Sequence, residues 1–261
     1  MSEEGDITVD LSDGVLEIGI NRPEKLNGFT PHIFALMSDA YARMEAEEDI
    51  RCGLLFAHGK HFTAGLDLPK FAGKFSESGD FARSANIDIY NRFGHGRTKP
   101  LITAVQGITF TAGIELMLAG DVTIAADDCR FAQLEPKRGL MAVGGATYRF
   151  IERGGWGNAM KWLLTGDEFG PEEAYRIGLV QEIVPAGTQV NRARELARSI
   201  AKRAPLAVQA TLSNARTYAL EGEDAAAAQF SDVQHQLAKT NDFQEGVQSF
   251  IEKRDAHFTG T

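Results

Sequence analysis

Cysteine is scarce: Cys52 and Cys129 are the only two in 261 residues, far apart and in no repeating pattern. A disulfide framework is excluded, and a reducing compartment, the cytoplasm, is expected. No run of 18 apolar residues occurs, so no membrane-spanning helix is expected. The N-terminal "MSEEGDITVD" lacks the apolar stretch of a signal peptide. Basic charge is also short. A formal net charge of −9 argues against nucleic acid as a partner, because phosphate binding needs a positive field. No G-x-S-x-G is present, so there is no sign of a nucleophile elbow.

What remains is an ordinary globular composition, 43% hydrophobic and 24% charged, long enough for one large domain or a domain with an appendage. "ITVDLSDGVLEIGINRP" alternates apolar and polar residues about Ser12-Asp13-Gly14 and predicts a β-hairpin. "TPHIFALMSDAYARMEAEED" sets Thr30 as N-cap and Pro31 in the first turn of an amphipathic helix. "CGLLFAHG", "KPLITAVQG" and "DVTIAADD" predict strands, and a helix is expected near 80–93. Alternation of strands and helices to about residue 150 implies crossovers and a parallel sheet. Beyond about 155 the chain predicts helices, with only "LVQEIVP" strand-like.

Within "GITFTAGIELMLAGDVTI" one residue does not fit. Glu115 lies in an uncharged run between Ile114 and Leu116, where a carboxylate is costly unless paired, protonated or used. It follows Ala112-Gly113, small residues that open a helix after a strand. Free amides at such a helix start suit an oxyanion. The plainer reading is an acid helped by the helix dipole. Glu135 follows the strand-like "CRFAQ", and Pro136 keeps it out of a helix interior. Its plainer reading is a surface acid paired with Lys137 or Arg138. "FTAGLDL" (62–68) is a small-residue turn whose amides could face a ligand, or an ordinary loop. His58 and His61 in "HGKHF" have no third ligand nearby and read as a solvated turn, so no metal is expected. "GGWGNA" reads as turn glycines before a helix, not a dinucleotide loop.

Together these pieces resemble the crotonase family, the enoyl-CoA hydratases and isomerases, over nearly the whole chain. "NRPEKLN", "HFTAGLDL", "KPLITAVQGITFTAGIELMLAGDVTIAADDCRFAQLE", "LLTGDEFGPEEAYRIGLVQEIVP" and "EGVQSFIEKRDAHF" are similar, in order, to five of its stretches. The resemblance implies an α/β spiral of ββα units over residues 1–200. A helical C-terminal trimerisation region would then occupy 201–261. It implies an acyl-CoA thioester as ligand, coenzyme A being part of the substrate, with no metal or redox cofactor. It also implies a homotrimer or dimer of trimers. By position, oxyanion amides fall on Leu66 and Ala112, and the hydratases' two catalytic glutamates on Glu115 and Glu135. Coenzyme A contacts fall on Lys25, on the strip Ala64, Gly65, Leu66, Asp67 and Leu68, and on Phe250 and Lys253 of a neighbouring subunit.

The expected chemistry is hydration of an enoyl-CoA. Glu135 would protonate C2 and Glu115 activate water, while two amides hold the enolate oxygen. Double-bond isomerisation, other CoA-thioester lyase or hydrolase chemistry, and non-catalytic acyl-CoA binding are the alternatives. The chain departs from the family pattern at Ala112, commonly glycine, at Pro69-Lys70, and at "AVGGA" (142–146), where Val143 replaces a glycine.

Overall fold

The computed structural model describes residues 3–71, 87–92 and 96–261. Strands β1 (Asp6–Ser12) and β2 (Val15–Asn21) form the expected antiparallel hairpin. Asp13 and Gly14 both have positive φ, as a two-residue primed turn requires. Helix α1 (Pro31–Ala46) starts as read: the Thr30 side chain accepts a hydrogen bond from Ile33 N and Pro31 opens the first turn. Then come β3 (Cys52–Ala57) and the one-turn helix α2 (Leu68–Phe71). The helix expected near 80–93 lies largely outside the described residues; its described part, 87–92, is turn and bend.

The chain continues through β4 (Leu101–Val105), β5 (Ile108–Phe110), α3 (Ala112–Ala119), β6 (Val122–Ala126) and β7 (Arg130–Ala132). Helices α4 (Ala146–Gly154), α5 (Trp156–Thr165) and α6 (Pro171–Arg176) precede β8 (Glu182–Val184) and α7 (Gln189–Ala201).

The main sheet runs β1-β2-β3-β4-β6-β8, parallel from β2 onward. Both faces are covered, as parallel sheets require. Leu16, Ile18, Leu55, Leu101 and Val105 enter the larger core, while Val15, Leu54, Ile102, Ala104 and Ile124 enter a smaller one. Helix α7 closes the smaller core with Ala193, Ala197 and Ala201, a stripe of methyls four residues apart that lets the helix approach the strands.

A second, narrower layer stands beside this sheet. Its members pair in parallel: Phe29 with Leu66, Thr63 with Thr109, and β5 with β7. Each passage of the chain thus adds one strand to the main sheet and one short segment to the second layer before a helix. That is the expected ββα spiral. The C-terminal segment is helical, as expected: α8 (Pro205–Glu221), α9 (Glu223–Ala228), α10 (Phe230–Leu237) and α11 (Asn241–Glu252). No residue of α8 is buried, and Leu220, Phe230, Phe250 and Ile251 are exposed. Arg216 ties α8 to Asp121, and Arg51 holds the Phe258 carbonyl at 2.8 Å.

Candidate active site

The second layer brings the candidate residues together. Its neighbouring segments are parallel, so their C-terminal ends leave at one edge. Ala64–Leu66 follows Thr63, Thr111–Ala112 follows β5, and Leu134–Glu135 follows β7 by one residue. Phe110 N to Thr63 O (3.0 Å) and Thr111 N to Ala132 O (2.9 Å) lock the three ends side by side. A cavity of about 420 Å³ opens there. Among the described residues its lining includes Ala64, Leu66, Ala112, Glu115 and Glu135.

All eight residues of α3 are buried, so this helix is apolar around its whole circumference apart from one carboxylate. Glu115 is 4% exposed. Its Oε1 accepts hydrogen bonds from Gly144 N at 2.6 Å and Ala146 N at 3.2 Å. Burial pushes its pKa up to about 7, with the charge of Glu135 adding and the two amides opposing. The simple helix-dipole reading is inadequate: the carboxylate is held by a distant loop and faces a cavity. That loop is fixed on its other side, because Arg92 donates to the Val143 carbonyl (2.6 Å) and Arg149 to that of Gly144 (3.2 Å).

Glu135 opens a single 3₁₀ turn with Pro136 in its second position. The surface-pair reading fails: Lys137 pairs with Asp167 at 3.1 Å, and Arg138 donates to the Lys137 carbonyl. Glu135 Oε2 is buried with no hydrogen-bond partner among the described residues. Burial raises its pKa, which favours a proton there.

The amides of Leu66 and Ala112 also lack a partner among the described residues; the N–H of Ala112 is one of the orphan donors of a helix start. Thr111, at φ 48° and ψ −114°, makes the sharp corner that begins α3. Gly65, at φ +101°, meets that corner, and a Cβ on it would lie 1.9 Å from Thr111 Oγ1. Only glycine lets the Leu66 strip approach Ala112 so closely.

Of the expected coenzyme A strip, Ala64, Leu66 and Leu68 line the cavity. Gly65 and Asp67 are not among the lining residues; Asp67 is ion-paired at 2.8 Å with the buried Arg22. Lys25 is exposed on the 3₁₀ turn Pro23–Lys25, next to Leu26, whose carbonyl accepts from Ala64 N. Phe250 and Lys253 sit at the end of α11, and neither lines the cavity within one chain. His58 and His61 serve strands: His58 Nε2 bonds Thr8 Oγ1, and His61 Nδ1 accepts from Ile108 N. Among the described residues, no three His, Cys, Asp or Glu cluster as metal ligands. Cys52 and Cys129 are buried free thiols.

Sequence reasoning missed Tyr90, Arg92 and Met141, which also line the cavity. Tyr90 and Arg92 fall within the helix expected near 80–93, and nothing in that reading marks either as facing a ligand; the described residues there form no helix. Chemically, the cavity offers two unpartnered N–H donors, one carboxylate with a raised pKa and a free buried oxygen, and a second held at one oxygen by amides. That set can stabilise an oxyanion and both give and take a proton.

Known proteins with the same arrangement of chain are numerous. Residues 10–261 match the family model for enoyl-CoA hydratase/isomerase. The enoyl-CoA hydratase EchA19 of Mycobacterium tuberculosis is 32% identical over 257 residues, spanning 97% of this chain and 96% of its own. The 1,2-epoxyphenylacetyl-CoA isomerase of Escherichia coli is 31% identical over 257 residues, spanning 96% and 97%. The crystal structure of "a probable enoyl-CoA hydratase/isomerase" from Mycobacterium abscessus matches with a TM-score of 0.94 at 42% identity over 98% of both chains.

Proposed function

Since the chain belongs to the enoyl-CoA hydratase/isomerase family, we propose that it adds water across the 2,3 double bond of an enoyl-CoA thioester. Enzymes of this family act on CoA thioesters without a metal or redox cofactor. The thioester carbonyl oxygen takes the amides of Leu66 and Ala112. Oxygen of water bonds to C3, and negative charge moves through the conjugated system onto the carbonyl oxygen. The two amides are aimed at that charge in an apolar cavity, so they hold the enolate better than the ground state. Glu115, with Oε1 held by Gly144 and Ala146, offers Oε2 to orient water and take its proton. Glu135 gives a proton to C2, and the enolate returns to the thioester. One water is consumed, one C–O and one C–H bond form, and proton exchange with solvent resets the two carboxylates.

The observation that carries this reading is the buried, unpartnered Glu135 oxygen in the same cavity as Glu115. Isomerisation of the double bond by Glu135 alone is the second reading. It is favoured by the Glu115 pKa of about 7, which leaves that group half protonated near neutrality. Coenzyme A runs from the cavity past Ala64–Leu68 towards Lys25. In a homotrimer or dimer of trimers, Phe250 and Lys253 reach the coenzyme A of a neighbouring subunit. Incubation with crotonyl-CoA and then longer and aromatic enoyl-CoAs, with products identified by mass and NMR, separates the readings. A new hydroxyl at C3 supports hydration, a shifted double bond isomerisation, and free coenzyme A hydrolysis.

A further inference from the structure

On the reading that this cavity takes the acyl group of an enoyl-CoA, we propose that Tyr90 selects acyl chains bearing a neutral, hydrogen-bond-accepting oxygen. Tyr90 is 4% exposed and lines the cavity, yet its hydroxyl has no hydrogen-bond partner among the described residues. The ring cannot swing away to find one. It packs edge-on against Phe34 of α1 at 5.6 Å, and the Arg92 guanidinium sits 5.1 Å over its face. Its own amide is bound to Asp88 Oδ1 and its carbonyl to Arg149 Nη2. Burial, and after it the Glu115 carboxylate, push the phenol's pKa well above its ordinary value, so the group is a neutral donor at any working pH.

Besides Glu115, Glu135, Arg92 and Arg138, the cavity lining is mainly aliphatic, with Leu66, Leu68, Leu134, Leu140, Met141 and Val143. A hydrocarbon chain filling that space excludes water and leaves the hydroxyl unpaired. A site built around a buried polar group discriminates against ligands that cannot pair it. A hydroxyl, ether or ketone oxygen supplies the acceptor. A carboxylate end would meet the Glu115 carboxylate; of the two guanidiniums lining the cavity, Arg92 is already engaged by Asp88 at 3.1 Å, and Arg138 is exposed and donates to the Lys137 carbonyl. The neutral oxygen is therefore the better complement.

The test compares 2-enoyl-CoAs of equal length carrying a hydroxyl or ketone at successive carbons beyond C4, a terminal carboxylate, or no oxygen. The best neutral oxygenated chain should exceed the hydrocarbon in kcat/KM by about 10- to 100-fold. Tyr90→Phe, which keeps the ring, should collapse that ratio towards one. Calorimetric Kd values for the saturated thioesters of the same chains read the preference without turnover. Hydration of none of the enoyl-CoAs would count against the reaction proposed above, while the Kd series still decides the role of Tyr90. A wild-type ratio within about threefold of one, a preference for the carboxylate, or a ratio unchanged in Tyr90→Phe would overturn the assignment.

Discussion

Gly144 donates its amide to Glu115 at 2.6 Å, and a Cβ on Gly144 would stand 2.6 Å from the other oxygen of the same carboxylate. The loop therefore grips Glu115 closely enough that one methyl must displace it. Gly144→Ala should fold with a loss of about 1–3 kcal/mol, the usual range for overpacking, and lose hydration at least about tenfold. Thermal melts and kcat measured together check this. An alanine variant with wild-type turnover would mean that the position of Glu115 does not matter.

The Glu115 carboxyl has an ordinary value of 4.5 and is pushed up to about 7, chiefly by burial. The folded protein therefore holds this proton more tightly than the unfolded chain. Stability from the group is fully present below the ordinary value and is lost as pH rises through about 7. Relative to Glu115→Gln, the unfolding free energy of the wild type should fall by about 2–3 kcal/mol between about pH 5 and pH 8. Hydration needs the ionised form, so kcat/KM should rise over the same window. Parallel denaturation curves for the two proteins would show that Glu115 titrates in its ordinary range.

Gly65 and Thr111 test the proposed oxyanion corner. Gly65→Ala puts a Cβ against Thr111 Oγ1 at a φ of +101°, so the Leu66 strip must shift. Turnover should fall about 10²–10³-fold if one amide donor is lost. Thr111→Gly removes the hydroxyl and the unfavourable φ of 48° together. In the double variant the stability losses should fail to add, by about 0.5–3 kcal/mol. Strict additivity would show that the two residues do not meet as described.

Much of this site was legible because its chemistry broke local rules. Glu115 stood out as a charge in an apolar run, whereas Glu135, fixed by proline after a strand, read by itself as a surface acid and was marked only by the family resemblance. The hairpin and the start of α1 followed from turn and cap residues alone. What stayed hidden was non-local. The strands β5 and β7 have three residues each, too short for a period, and exist because neighbours pair with them. Tyr90 reaches the cavity through tertiary packing on Phe34. The tie between Glu115 and Gly144 spans 29 residues, and no spacing rule predicts it.

The C-terminal helices leave Tyr218, Leu220, Phe230, Phe250 and Ile251 exposed in one chain, and Phe250 is 85% exposed. Light scattering should give a mass of three or six chains. Phe250→Asp should weaken assembly and raise KM for the CoA thioester, because Phe250 is assigned to a neighbour's coenzyme A. A full-length monomer with undiminished activity would contradict both assignments.

The proposed chemistry has Glu115 and Glu135 add water beside the Leu66 and Ala112 amides. Reaction of crotonyl-CoA in H₂¹⁸O tests it most directly, with product and isotope read by mass spectrometry for the wild type, Glu115→Gln and Glu135→Gln. The wild type should give 3-hydroxybutyryl-CoA with ¹⁸O at C3. The rate should be about 10²–10⁴-fold lower in Glu135→Gln with coenzyme A binding retained, and hydration should be lost in Glu115→Gln. Unlabelled product with a moved double bond, or wild-type rates of labelling in either variant, would contradict this chemistry.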